Sequence, residues 1–136
     1  MRILVTGGAG FIGSNLVRRL LADGDSVAVI DDLSTGYRSN LDGLDIDFFE
    51  ASILDEDALA AAAAGTESII HLGALGSVPR SVKDPMASHQ ANATGTLMVC
   101  QAAQRQGAHL VAASSSSVYG STPDLPRREN LPTRPM

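Results

Sequence analysis

Cysteine is nearly missing from this chain. Cys100 is the single one, which excludes an internal disulfide and a cysteine-based zinc site. Lysine is as scarce: Lys83 is the only one, so lysine-dependent chemistry has one candidate in the sequence. Tryptophan is absent and aromatic residues make up 4%. No apolar run is long enough for a transmembrane helix. Met1 to Gly7 turns glycine-rich too early to hold a signal-peptide core, which predicts a cytoplasmic protein. Excess positive charge is lacking too. The net charge of −5 disfavours nucleic acid and anionic membranes as partners, because an acidic domain repels their phosphates. The histidines, His71, His89 and His109, form no pair with metal-ligand spacing, so no metal site is expected. His71 is expected to pack beneath a loop, and Met98 and Cys100 to lie in the core or in an interface.

What remains is the composition of one folded domain. Of 136 residues, 44% are hydrophobic and 18% charged. A chain of this length buries roughly two thirds of its unfolded surface. Short apolar runs alternate with helical patterns. Ile3-Leu4-Val5 reads as a buried strand ended by Thr6-Gly7-Gly8. Phe11 to Leu21 has helical spacing, with Ile12, Leu16 and Leu20 on one face, and Gly24 closes it. Strands are expected at Ser26–Ile30, Asp45–Ala51, Glu67–Leu72 and His109–Ala113. Ser34 to Asn40 reads as a polar loop with room for one helical turn. Asp55 to Ala64 is an alanine-rich helix with acidic residues suited to its positive end, and Pro85 to Gln106 is a long helical segment stopped by Gly107. Residues 121–136 hold four of the six prolines and read as an extended tail, so residues 1–120 form the domain. Strands alternating with helices imply right-handed crossovers and a doubly wound parallel α/β sheet of about five strands, the Rossmann arrangement.

Two features carry chemistry. Between the first strand and first helix stands Thr6-Gly7-Gly8-Ala9-Gly10-Phe11-Ile12-Gly13. Its glycines satisfy Gly7-Gly10-Gly13 and Gly8-Gly10-Gly13 spacings, as needed where a backbone turns tightly, approaches a pyrophosphate and lets a helix pack against a strand. The helix start then offers N–H groups and a positive dipole end to the anion. Asp31 ends the second strand, 18 residues after Gly13. A carboxylate there accepts ribose hydroxyls and repels a 2′-phosphate, which favours NAD over NADP; Arg38 is the only nearby cation that argues otherwise.

Six motifs in series then carry a resemblance: the glycine turn, Asp31-Asp32-Leu33-Ser34-Thr35-Gly36, His71-Leu72-Gly73-Ala74, Ser77 to Pro85, Asn92-Ala93-Thr94-Gly95-Thr96, and Ser114-Ser115-Ser116-Ser117-Val118-Tyr119-Gly120. Over essentially its whole length the chain resembles the extended short-chain dehydrogenase/reductases, in particular the nucleotide-sugar 4-epimerases of the UDP-glucose/UDP-galactose type. The resemblance implies tight NAD binding and transient oxidation of a UDP-hexose at carbon 4. It assigns Gly7, Gly10, Phe11, Ile12 and Gly13 to the pyrophosphate, and Asp31, Asp32, Ser34, Thr35 and Gly36 to the adenosine ribose. Ser52 and Ile53 take the adenine side. Leu72, Gly73, Ala74 and Ser114 line the cofactor, and Asn92 supports that region by hydrogen bonding. Ser115, with Ser116 as runner-up, is the catalytic hydroxyl that guides a proton between substrate and base. It also implies a homodimer through the 85–106 helix, whose apolar face would otherwise lie open.

The pattern is departed from in places. Ala51-Ser52-Ile53 stands where the family has Gly-Asp-Ile, so the adenine contact loses a charge, and Gly73 replaces an alanine. Ser116 and Ser117 occupy slots where the dehydratase and decarboxylase relatives place acidic residues, which disfavours both chemistries. The family base is the tyrosine of Tyr-x-x-x-Lys. Neither Tyr37, with Leu41 four residues on, nor Tyr119, with Pro123, fits. The 136 residues are therefore expected to be the N-terminal part of such an enzyme, inactive alone. The alternatives are a non-catalytic NAD-binding module, or part of another sugar-nucleotide epimerase or a 4-reductase.

Overall fold

A computed structural model describes residues 1–123 and 125–135. Its centre is a five-stranded parallel sheet: β1 (Arg2–Thr6), β2 (Ser26–Asp31), β3 (Asp47–Glu50), β4 (Ser68–His71) and β5 (His109–Ala112), in the order β3-β2-β1-β4-β5. The helices are α1 (Phe11–Ala22), α2 (Glu56–Ala63), α3 (Val78–Lys83), α4 (Pro85–His89) and α5 (Gly95–Gln106). The doubly wound Rossmann-like sheet expected from the alternation is present.

Its two-sided core follows from the strand period of two. In β1, Leu4 points to one face and Ile3 and Val5 to the other. On the first face Leu4, Ala28, Ile30 and Ile69 pack with Leu59, Ala62 and Ala63 of α2 and Val99, Ala102 and Ala103 of α5. On the second, Ile3, Val5, Val27 and Val29 pack with Val17 of α1 and with Leu41 from a 3-10 turn at Arg38–Leu41. The small residues of α2 and α5 let both helices lie close against the sheet. Each fully buried large apolar side chain contributes about 1.5–3 kcal/mol relative to exposure.

Three local expectations are corrected. The inward stripe of α1 runs through Gly13, Ser14 and Val17, with Leu16 and Leu20 at its edge, while Ile12 is 68% exposed. The helix turns its smallest residues toward β1 to approach it closely, which rotates Ile12 outward. The segment 85–106 is helical but not uniform. Residues Gln90–Thr94 form a π turn in which the Gly95 N–H reaches the Gln90 carbonyl. A further helix, α3, precedes it. Ser77 caps α3 by accepting from the Arg80 N–H at 3.3 Å. Pro85 separates α3 from α4: a proline disfavours helical backbone at the residue before it, and Asp84 is accordingly off-helix at φ −138°, ψ 81°. Of the two places expected for Cys100, core or interface, its exposure excludes the core.

Candidate functional site

The carboxyl ends of the strands open into one cleft, with about 640 Å³ of open space. It lies where the chain order reverses on either side of β1, the usual position for a ligand in an open parallel sheet. Its lining comes from every connection that leaves β1 to β4. Gly7 and Gly10 follow β1, Asp31, Asp32, Ser34 and Thr35 follow β2, Ser52 and Ile53 follow β3, and Leu72, Gly73 and Ala74 follow β4. Sequence reasoning missed Ile30, Ala51, Leu75 and Ala91, which complete the wall; they are apolar and carry no chemical signature.

The glycine turn is built by contact. Gly7 has φ +70°, and a Cβ there would stand 2.8 Å from the Gly73 nitrogen. A Cβ on Gly13 would collide with the Gly7 carbonyl and Gly8 Cα, so glycine is what lets α1 begin against the turn. Gly10 caps α1 with no side-chain bond and no acidic residue in the first turn, which leaves the positive end of the helix uncompensated beside the cleft. Phe11 and Ile12 begin α1 with exposed side chains and are not among the residues that line the cleft.

Asp31 holds the turn and the loop together. Its Oδ2 accepts from the Ala9 N–H and its Oδ1 from the Leu33 N–H, each at 2.9 Å. An ionised carboxylate has about four acceptor positions, so two remain for hydroxyls in the cleft. Asp32 Oδ1 accepts from the Ser34 N–H at 2.9 Å. Gly36 does not line the cleft. It packs on the turn, where a Cβ would come 2.9 Å from the Ala9 carbonyl carbon. Arg38 lies over the Phe48 ring, 4.5 Å from its centroid, and is engaged there. Ser52 Oγ accepts from the Leu54 N–H at 3.2 Å.

Beyond β4 a polar network takes over. His71 is buried, with Thr6 Oγ1 at 2.6 Å from its Nδ1 and Thr96 Oγ1 at 3.0 Å from its Nε2. Burial holds its pKa below the ordinary 6.5. Asn92 accepts from the Leu75 N–H at 2.7 Å and donates to the Leu75 carbonyl at 3.0 Å. Asn92 thus pairs with Leu75 through both polar atoms of its amide, while lying on the exposed side of the π turn. Thr6 and Thr96 were not singled out from sequence. The one available signal was a hydroxyl, Thr6, ending an otherwise apolar strand.

Ser114, Ser115 and Ser116 follow β5, at the same end of the sheet but outside the cleft lining, and all three are exposed. Ser115 Oγ accepts from the Ser117 N–H at 3.1 Å and caps a 3-10 turn, Ser116–Tyr119. Ser115 thus caps the point where the backbone turns after β5. Its hydroxyl proton stays available to donate. No helix of the described residues is long and apolar enough to cross a membrane.

With this geometry in place, comparison with known proteins is specific. A UDP-glucose 4-epimerase of Mycolicibacterium smegmatis is 45% identical over 142 residues, spanning 99% of this chain and 45% of that protein. A UDP-glucuronic acid decarboxylase 1 of Danio rerio is 36% identical, spanning 95% of this chain and 31% of that protein. The Thermus thermophilus UDP-glucose 4-epimerase, crystallised with NAD, superposes with a TM-score of 0.90 at 40% identity, over 99% of this chain and 45% of that one. The chain thus spans less than half the length of the relatives it matches. The model of the NAD dependent epimerase/dehydratase family matches residues 3–136, and the chain belongs to that family.

Proposed function

We propose that this chain is the NAD-holding part of a nucleotide-sugar 4-epimerase of the UDP-glucose/UDP-galactose type. The observation that carries the reading is the convergence of the glycine turn, Asp31 and the Leu72–Leu75 segment on one cleft at the reversal point of the sheet. The residues fit the cofactor: the uncapped start of α1 takes the pyrophosphate through its backbone, Asp31 has two acceptor positions for the ribose, and Ala51, Ile53 and Leu72 provide apolar wall. When bound, NAD supplies a reversible hydride acceptor for the sugar carbon. The chain's own residues bind and orient it. Ser115 is the proposed proton guide, assigned by its place after β5 and its free hydroxyl proton; Ser116 is the second candidate. Ser117, rather than an acidic residue, favours epimerisation over the decarboxylation named for the zebrafish relative.

The 136 residues contain no Tyr-x-x-x-Lys, so they are proposed to bind NAD without turning over a nucleotide sugar. A homodimer through residues 85–106 is also proposed, supported by exposed Met86, Leu97 and Cys100 on that segment. Calorimetric titration of the chain tests the reading. NAD should bind at least about tenfold tighter than NADP, since Asp31 faces the extra phosphate. Equal affinities, or epimerisation of UDP-galactose by these 136 residues, would overturn it.

A further inference from the structure

A closed circuit of hydrogen bonds surrounds the segment after β4. Gly73 N–H donates to Thr6 Oγ1 at 3.0 Å, Thr6 Oγ1 meets His71 Nδ1, His71 Nε2 meets Thr96 Oγ1, and Thr96 donates to the Asn92 carbonyl at 2.7 Å. The Asn92 side chain then returns to Leu75 through both of its polar atoms. The proton positions follow by counting. Thr96 has one hydroxyl proton and gives it to Asn92, so its oxygen can only accept from His71. Nε2 must carry a hydrogen. Nδ1 of the neutral ring is then bare and accepts the Thr6 hydroxyl proton, and the Thr6 oxygen is free to accept from Gly73. The opposite tautomer would aim two N–H groups at Thr6 and leave Nε2 facing an oxygen whose proton is already used.

We propose that His71, as the neutral Nε2–H tautomer, is a positioning residue that fixes Gly73–Leu75 as the β4 wall of the cofactor cleft. It is not among the residues that line the cleft; it sets the direction of a relay whose two ends hold Gly73 directly and Leu75 through Asn92. The cofactor part of this inference rests on the reading of the cleft as an NAD site.

The test uses the whole chain labelled with nitrogen-15, with His71→Gln identifying the ring signals. Long-range proton–nitrogen correlation should show His71 protonated on Nε2 alone. Thr96→Val should speed amide exchange at Gly73 and Leu75 and weaken NAD binding, each by about three- to tenfold, the effect of one lost hydrogen bond. Thr96→Ser should restore both. A ring protonated on Nδ1, or unchanged exchange at Gly73 and Leu75 in Thr96→Val, would overturn the relay. Faster exchange with unchanged NAD affinity would overturn its link to the cofactor. If the unaltered chain binds no NAD, the reading of the cleft fails while exchange still decides the relay. If Thr96→Val does not fold, the tautomer in the unaltered chain decides it.

Discussion

At the scale of single residues, His71 is a titratable group buried in its neutral form against the sheet. It is 4% exposed and its pKa is held below 6.5 by burial. In the unfolded chain the ring takes up a proton near its ordinary value of about 6.5. Protonation therefore favours the unfolded state as pH falls below that value, and the stability present above it is lost on the way down to the folded pKa. The melting temperature should drop between pH 7.5 and pH 5.5, a window above the ordinary carboxylate range, and the drop should be smaller in His71→Gln. Equal slopes in both proteins would contradict this. Residue roles divide sharply in how far they could be read from sequence. The glycine turn and Asp31 announce themselves because their chemistry is local: the backbone path and the strand end lie within a few residues of the signal. Thr6 and Thr96 do not, because their partner His71 lies 65 and 25 residues away.

At the scale of elements, local rules set the boundaries of α2. Asp55 Oδ1 accepts from the Ala58 N–H at 3.0 Å, and Glu56 and Asp57 follow in the first turn. Replacing Asp55 by alanine should cost about 1 kcal/mol, read as a lower urea midpoint with an unchanged slope. The Arg105–Glu56 pair, 3.1 Å and exposed at both ends, should contribute less, within about 1 kcal/mol. Helix existence was legible from spacing, whereas helix rotation was not. The apolar residues of α1 suggested a stripe through Ile12, but the tight approach of Gly13 to the turn decides which face turns inward. The π turn within 85–106 was equally hidden, since one i→i+5 step barely changes the apolar period. α3 escaped notice because its six residues show no buried position to set a pattern.

At the scale of the molecule, the alternation of strands and helices made the parallel sheet legible, and all five expected strands are present, their ends shifted by no more than one residue except at the start of β3, which begins two residues later. What alternation does not reveal is which surfaces stay open. Among the described residues β5 pairs with β4 alone, and Val111 in it is 49% exposed. Val82, Met86 and Leu97 form a second set of exposed apolar side chains along the helical segments. Both invite association of the isolated chain. Sedimentation velocity should show concentration-dependent self-association of these 136 residues. Leu97→Glu should reduce it if the helices pair, and Val111→Lys if the sheet edge does.

The order of the sheet also sets a schedule. β1 lies in the middle, with Ser26 as partner of Arg2 on one side and Ser68 as partner of Ile3 on the other. The first 31 residues therefore contain both partners of the contacts that join the glycine turn to the end of β2, Gly7 N–H to the Ile30 carbonyl and Ala9 N–H to the Asp31 carboxylate. The opposite wall cannot exist until Leu72 to Leu75 have been made and β4 has docked on the far side of β1. At about 5–20 residues per second of synthesis, several seconds separate the two events. A nascent chain thus holds both partners of these contacts before the strand that closes the cleft along the other edge of β1 has been made.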